Sequence, residues 1–321
     1  MKQKIFTLLL IVATGLSACK KNQDQQQDIR SYDNEQIQKY IAANGLTGFT
    51  ADTTTDGTGK TGIQYKIITQ GTGDTLKYSD KVSLVYTLKS FDGKYTSADT
   101  INNHMYDFLG YLTKDNLPQG LQLAIHNILR YKNSSMRLLI PSRLAYGING
   151  TGSGSISNVN TRIAGNQCLD YYVHVIGDQS AYDDKVINNY IAANNLSGFS
   201  KDFALIDSSG VKLKKYYYYK TVTPGTGVIG AITEFSKVTT TYGGSILNGF
   251  SFDFASYTTP TVLTPFNLID GVSHALENHA TTGTSLQILI PSALGYGTAA
   301  STGIPSNSVL KFDFTVSGID L

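Results

Sequence analysis

The chain has 321 residues, 41% of them hydrophobic and 16% charged, with a formal net charge of +2. That length holds two domains of about 150 residues each, and the composition is that of a packed globular protein. That low net charge argues against a nucleic-acid partner, which would need a clustered basic face. With 21 Tyr and 13 Phe, and 31 Gly against 7 Pro, the chain suits β-rich structure with Gly-rich loops.

Residues 1–19 read MKQKIFTLLLIVATGLSAC. Lys2 and Lys4 form a charged start, and Ile5 to Val12 form an apolar run too short to span a bilayer as a helix. Leu16-Ser17-Ala18-Cys19 resembles a bacterial lipobox, which implies a lipoprotein signal peptide over 1–18 and lipidation of Cys19. Residues 19–32 are polar and Gln-rich and are expected to be a flexible tether. The other cysteine, Cys168, then has no partner; its setting, Gln-Cys-Leu-Asp-Tyr-Tyr-Val, reads as a strand and makes a buried, inert thiol the simpler expectation.

The remainder repeats itself. YIAANGLTGF at 40–49 recurs as YIAANNLSGF at 190–199, and LLIPSRLAYG at 138–147 recurs as ILIPSALGYG at 288–297. YKIITQGTG at 65–73 and YKTVTPGTG at 219–227 match more loosely. A repeat this long, in the same order, is a tandem duplication and not a solenoid. Two domains are expected, 33–178 and 182–321.

Each half opens with a helical pattern. Ile37, Tyr40 and Ile41 have helical spacing, with Asp33 or Asn34 as a cap; Val186, Ile187, Tyr190 and Ile191 repeat it, with Asp183 or Asp184 as a cap. Gly45 and Asn195 end these helices. Strand-like runs follow, such as 82–88 and 311–316, with Asp92-Gly93 and Asn248-Gly249 as hairpin turns. A second helix fits 117–129 and 268–279. The fold class expected is α+β, with several antiparallel strands and one central helix per half.

These markers resemble the FKBP family of peptidyl-prolyl isomerases. The order is Gly-Thr-Gly before a strand, a strand Tyr, Asp/Asn-Gly, Phe-Asp, a short helix, Ile-Pro-Ser-x-Leu-x-Tyr-Gly and a closing aromatic strand, covering nearly all of 62–177 and 216–320. The resemblance implies two sheets, each wrapped around its central helix, with an apolar prolyl pocket between sheet and helix. In the second half it implies a catalytic pocket of Tyr242, Phe252, Asp253, Leu268, Ile269, Tyr296 and Phe312, with Val272 where the family has a floor tryptophan. In the first half Tyr86, Tyr146 and Tyr171 match, Leu117 and Pro118 fall at the helix start, and Leu121 replaces the tryptophan. Tyr95 and Thr96 stand where Phe-Asp would be, unless Asp99 shifts into place, so this pocket is degenerate.

The implied activity is isomerisation of X-Pro bonds in exported polypeptides by a cell-envelope folding factor. The second domain is the better enzyme. The alternative is a non-catalytic lipoprotein that binds proteins or peptides. The many tyrosines also suit sugar stacking, though no motif singles that out. Placement on the outer membrane, the periplasmic face or the cell surface is left open. No cofactor is implied, and no metal: the histidines 104, 126, 174, 274 and 279 lack ligand spacing, and His274 and His279 are not expected to share a helix face. Gly-Thr-Gly at 71–73 and 225–227 lacks the Gly-Lys-Ser/Thr of a phosphate loop. The Gly-Ser-rich stretch 149–160 is expected as a flexible insertion at the rim of the first pocket, able to gate it.

Overall fold

A computed structural model of the chain describes residues 28–155, 158–208, 210–256 and 259–321. The signal peptide, Cys19 and most of the expected tether lie outside the described residues. Among these residues no helix is long and apolar enough to cross a membrane.

In the first half, helix α1 (Ile29–Ala43) precedes strands β1 (Thr50–Ala51), β2 (Gln64–Thr69), β3 (Lys81–Ser90), β4 (Thr96–Ser97) and β5 (His104–Phe108). Helix α2 (Gln119–Ala124) continues as a π turn over Ile125–Leu129, and β6 (Ser134–Ile140), β7 (Thr151–Gly152), β8 (Arg162–Ile163) and β9 (Leu169–Ile176) follow. The second half repeats this as α3 (Gln179–Ala193), β10 (Ser200–Ser208), β11 (Val211–Thr223), β12 (Lys237–Ile246), β13 (Ser251–Ala255), β14 (Thr261–Leu263), α4 (Asp270–His279), β15 (Ser285–Ile290) and β16 (Leu310–Asp320). The antiparallel sheets run β1-β2-β6-β9-β3-β4 and β10-β11-β15-β16-β12-β13, with β5 also on β3 and β14 also on β12. The α+β class and the doubled, FKBP-like arrangement are thus observed.

Strand periodicity builds the cores. Every second residue of β3 (Val82, Leu84, Tyr86, Leu88) and of β9 (Leu169, Tyr171, Val173, Val175) faces α2. Leu310, Phe312, Phe314 and Val316 of β16 do the same beneath α4. The helices approach closely because each has a glycine at the contact. A Cβ on Gly120 would stand 2.4 Å from Ile140 Cγ2, and one on Gly271 2.5 Å from Ile290 Cγ2.

The far face of each sheet is covered by the leading helix. Ile37 of α1 packs on Leu139 and Cys168, and Ile187 of α3 packs on Leu289, Val309 and Tyr218. The continuous apolar runs Leu138-Leu139-Ile140 and Ile288-Leu289-Ile290 therefore have apolar surroundings on both faces.

Several expectations are corrected. Helix α1 begins at Ile29, inside the stretch read as tether. Asp178, not Asp183 or Asp184, caps α3, accepting from Ala181 N at 3.0 Å. Asp33 and Asp183 lie buried in mid-helix and hold serines of the other repeat motif: Ser142 Oγ donates to Asp33 at 2.6 Å, and Ser292 N and Oγ donate to Asp183 at 2.8 and 2.6 Å. A cap position and a buried polar latch share the same residue type, and only the packing separates them. The segment from Phe254 to Pro265 carries strand at both ends, since β13 and β14 each pair with β12.

Candidate functional site

In the second domain the pocket grows from three strands and one helix. Tyr242 on β12 and Phe314 on β16 stack at 5.5 Å, and Phe312 and Phe314 stack at 5.7 Å. Phe252 on β13 meets Phe312 edge-on at 5.7 Å and Tyr296 edge-on at 6.2 Å. Rings at these spacings and tilts are held by quadrupole attraction as well as burial. Gly244 makes room for them: a Cβ there would lie 2.7 Å from the Phe312 ring and 3.0 Å from that of Phe252.

Asp253 points outward from β13, and Tyr242 reaches it, donating its hydroxyl at 2.8 Å. Burial and this carboxylate push the Tyr242 hydroxyl up to about 12, so it stays a proton donor at any physiological pH. Val272 on the first turn of α4 is buried in the domain core, while Leu268 and Ile269, half-buried, flank the helix start. Tyr296 stands at the rim, 40% exposed, on the loop after the Ser292–Leu294 turn. Burial and Asp253 raise its hydroxyl pKa too, and among the described residues that hydroxyl has no hydrogen-bond partner. The structure thus links Tyr242, Phe252, Asp253, Tyr296 and Phe312 through ring contacts and a hydrogen bond, and places Leu268, Ile269 and Val272 in the same apolar core.

The first domain keeps the layout and changes the chemistry. Tyr86 and Tyr171 lie 5.8 Å apart, and Tyr95, Tyr146 and Leu117 join them around a cavity of about 230 Å³. Thr96 is exposed and stands outside this lining, and Leu121 is buried in the core beneath. The Tyr146 hydroxyl is committed: it donates to Asn116 O at 3.1 Å. Asp99 does not substitute for the family aspartate. It accepts from Asn248 of the other half at 2.6 Å.

The described ends of the insertion at 149–160 are tied to their surroundings. Asn160 N donates to Lys94 O at 2.8 Å, Thr96 N donates to Asn160 Oδ1 at 2.8 Å, and β7 pairs with β8. His274 and His279 do converge, contrary to their helical spacing. Both lie within 3.1 Å of the Tyr217 hydroxyl, and His279 also meets Asp202 at 2.9 Å, because the last turn of α4 leans on β10 and β11. Sequence reasoning missed the Asp33–Ser142 and Asp183–Ser292 latches, although both pairs recur at equivalent repeat positions.

A sheet closed on one short helix, with an aromatic cluster at the helix start, defines an FKBP-like domain, and the chain has two. Residues 231–317 match the family model for FKBP-type peptidyl-prolyl cis-trans isomerase. Human peptidyl-prolyl cis-trans isomerase FKBP10 is 26% identical over 244 residues, covering 76% of this chain and 34% of its own length. The FKBP-type isomerase FkpA of Buchnera aphidicola (from Acyrthosiphon pisum) is 36% identical over 85 residues, 26% of this chain and 34% of its own. The solved structure of FkpA from Escherichia coli is similar over 44% of this chain and 61% of its own, at 27% identity and a TM-score of 0.34. The family match falls within the second half of the chain, and the chain spans about a third of the length of the curated relatives it matches.

Proposed function

We propose that the second domain isomerises X-Pro bonds in exported polypeptides and that Cys19 tethers the protein to the cell envelope by a lipid. The observation that carries the activity is the Tyr242–Asp253 pair beside the contacting rings of Phe252, Phe312 and Phe314. Rotation about an X-Pro bond must cross a barrier of about 20 kcal/mol, set by amide resonance. Resonance places partial charge on oxygen and nitrogen, which water stabilises, and twisting the bond removes that charge. An apolar box favours the twisted amide over the planar one.

Phe252, Phe312 and Val272 hold the proline ring. Tyr296 donates to a carbonyl beside it, and Asp253 fixes Tyr242 against the ring. No nucleophile is required. Valine in place of the floor tryptophan widens the box and lowers its grip, so a modest rate is expected.

The test is a protease-coupled isomerisation assay on the full chain with a proline tetrapeptide. Asp253→Ala and Tyr296→Phe should each lower kcat/KM about tenfold or more, the loss of one transition-state hydrogen bond, whereas Tyr146→Phe should not. A full chain that folds yet leaves the uncatalysed rate unchanged sinks the enzyme reading and leaves a peptide-binding module. The anchor is read separately: the wild-type chain should partition into membranes and Cys19→Ser should not.

A further inference from the structure

The cavity of the first domain is built as a binding site for a different class of ligand. Four tyrosines, Tyr86, Tyr95, Tyr146 and Tyr171, face it where the second domain presents phenylalanines at two of the matching positions. Tyr171 is fully buried, and its hydroxyl, beside that of Tyr146, forms no hydrogen bond of good geometry among the described residues. A buried, unmatched hydroxyl costs free energy, and its cost is relieved only when something in the cavity bonds to it. Burial and the neighbouring Tyr146, Tyr86 and Tyr95 all raise the Tyr171 pKa, so the group is a neutral donor.

The remaining walls are also polar. Asn103 and Ser97 hydrogen-bond to each other at 2.8 Å, Asn116 reaches Thr151 at 3.3 Å, Thr151 and Asn160 come from the insertion that only this domain carries, and Thr161 follows it directly. Asp115, at the rim, is the one charged side chain among the described lining residues.

This lining discriminates between ligands. A prolyl ring has no N–H or O–H, so it brings no donor to the Asp115 carboxylate at the rim. A site made of hydrogen-bonding groups rejects a ligand lacking their complements far more strongly than an apolar site rejects an extra hydroxyl. An anion is disfavoured by Asp115, with no cation among the described lining residues. A ring with apolar faces and several hydroxyls satisfies both the tyrosine faces and the polar rim. We propose that the cavity of the first domain binds a neutral polyhydroxylated ring, one sugar residue of a glycan, and not a prolyl peptide.

The experiment is saturation-transfer NMR on the full chain with the methyl glycosides of glucose, galactose and N-acetylglucosamine, and with a proline tetrapeptide as the rival. At least one glycoside should receive saturation. Tyr171→Phe, which removes only the hydroxyl, should weaken its binding about tenfold while the melting temperature holds or rises. Asp115→Asn at the rim should weaken it too. Three results overturn the proposal: no glycoside binds; glycoside binding survives both substitutions; or the tetrapeptide binding lost on Tyr171→Phe is the sole signal.

Discussion

Asp183 shows how one side chain ties the repeat motifs together. It is 1% exposed, accepts from Ser292 N and Oγ and from Gln179 Nε2, and thereby pins α3 to the turn that leads into the Tyr296 loop. Asp33 does the same for Ser142 in the first half. Burial outweighs these bonds and raises the Asp183 pKa. The first expectation is that Asp183→Ala destabilises by roughly 2–3 kcal/mol, because it strands a buried backbone N–H and a hydroxyl. Urea titration should show the loss, and isomerase activity at low temperature should fall as the Tyr296 loop loosens. An unchanged midpoint would mean the latch is ornamental. The sequence showed both aspartates, but helix spacing alone read them as caps.

At the element scale the cores are set by strands with strict alternation, and that alternation is interrupted by glycine where the site needs space. On β12 the inward series is Val238, Thr240, Tyr242, Gly244 and Ile246. The missing side chain at Gly244 is what lets Phe252 and Phe312 meet. Gly244→Ala is therefore expected to cost about 1–3 kcal/mol by overpacking and to lower kcat/KM more than it lowers stability at the assay temperature. The reading is a melting curve beside the tetrapeptide assay. If activity is untouched, the two rings are not the proline box. The leading helices were legible from their apolar spacing, and so were the strands. The π turn at Ile125–Leu129 was not, because Leu117 to Leu129 reads as one uninterrupted helical pattern.

At the scale of the whole molecule the halves are joined by polar contacts around His104. His104 Nε2 lies 2.9 Å from Ser83 Oγ, which donates to Gln179 Oε1 at 2.7 Å and receives Asn307 Nδ2 at 3.2 Å. A cavity of about 440 Å³ beside it is lined from both halves, including His174, Tyr182, Leu247 and Val309. Burial lowers the His104 pKa to about 4. The unfolded chain binds this proton near pH 6.5 and the folded chain does not. Its contribution is therefore fully present above about pH 6.5 and is lost as pH falls towards 4, on the order of 3 kcal/mol in all. Wild-type melting between pH 7 and pH 4.5 should fall further than that of His104→Gln. Parallel curves for the two proteins would remove His104 from the interface argument.

The sequence by itself determined the duplication, the α+β class, the alternating strands and the positions of the aromatic residues. Those follow from local periodicity and from motifs that repeat in order. Only the tertiary structure decided what each polar residue does. It turned Asp33 and Asp183 from caps into latches, drew His274 and His279 to one tyrosine, sent Asp99 to the seam between the halves, and buried the Tyr171 hydroxyl without a well-formed hydrogen bond among the described residues. Hydrophobic patterning is written along the chain because burial depends on which face a residue occupies. Hydrogen bonding depends on which distant group arrives at 3 Å, and that is fixed only when the sheet closes on its helix.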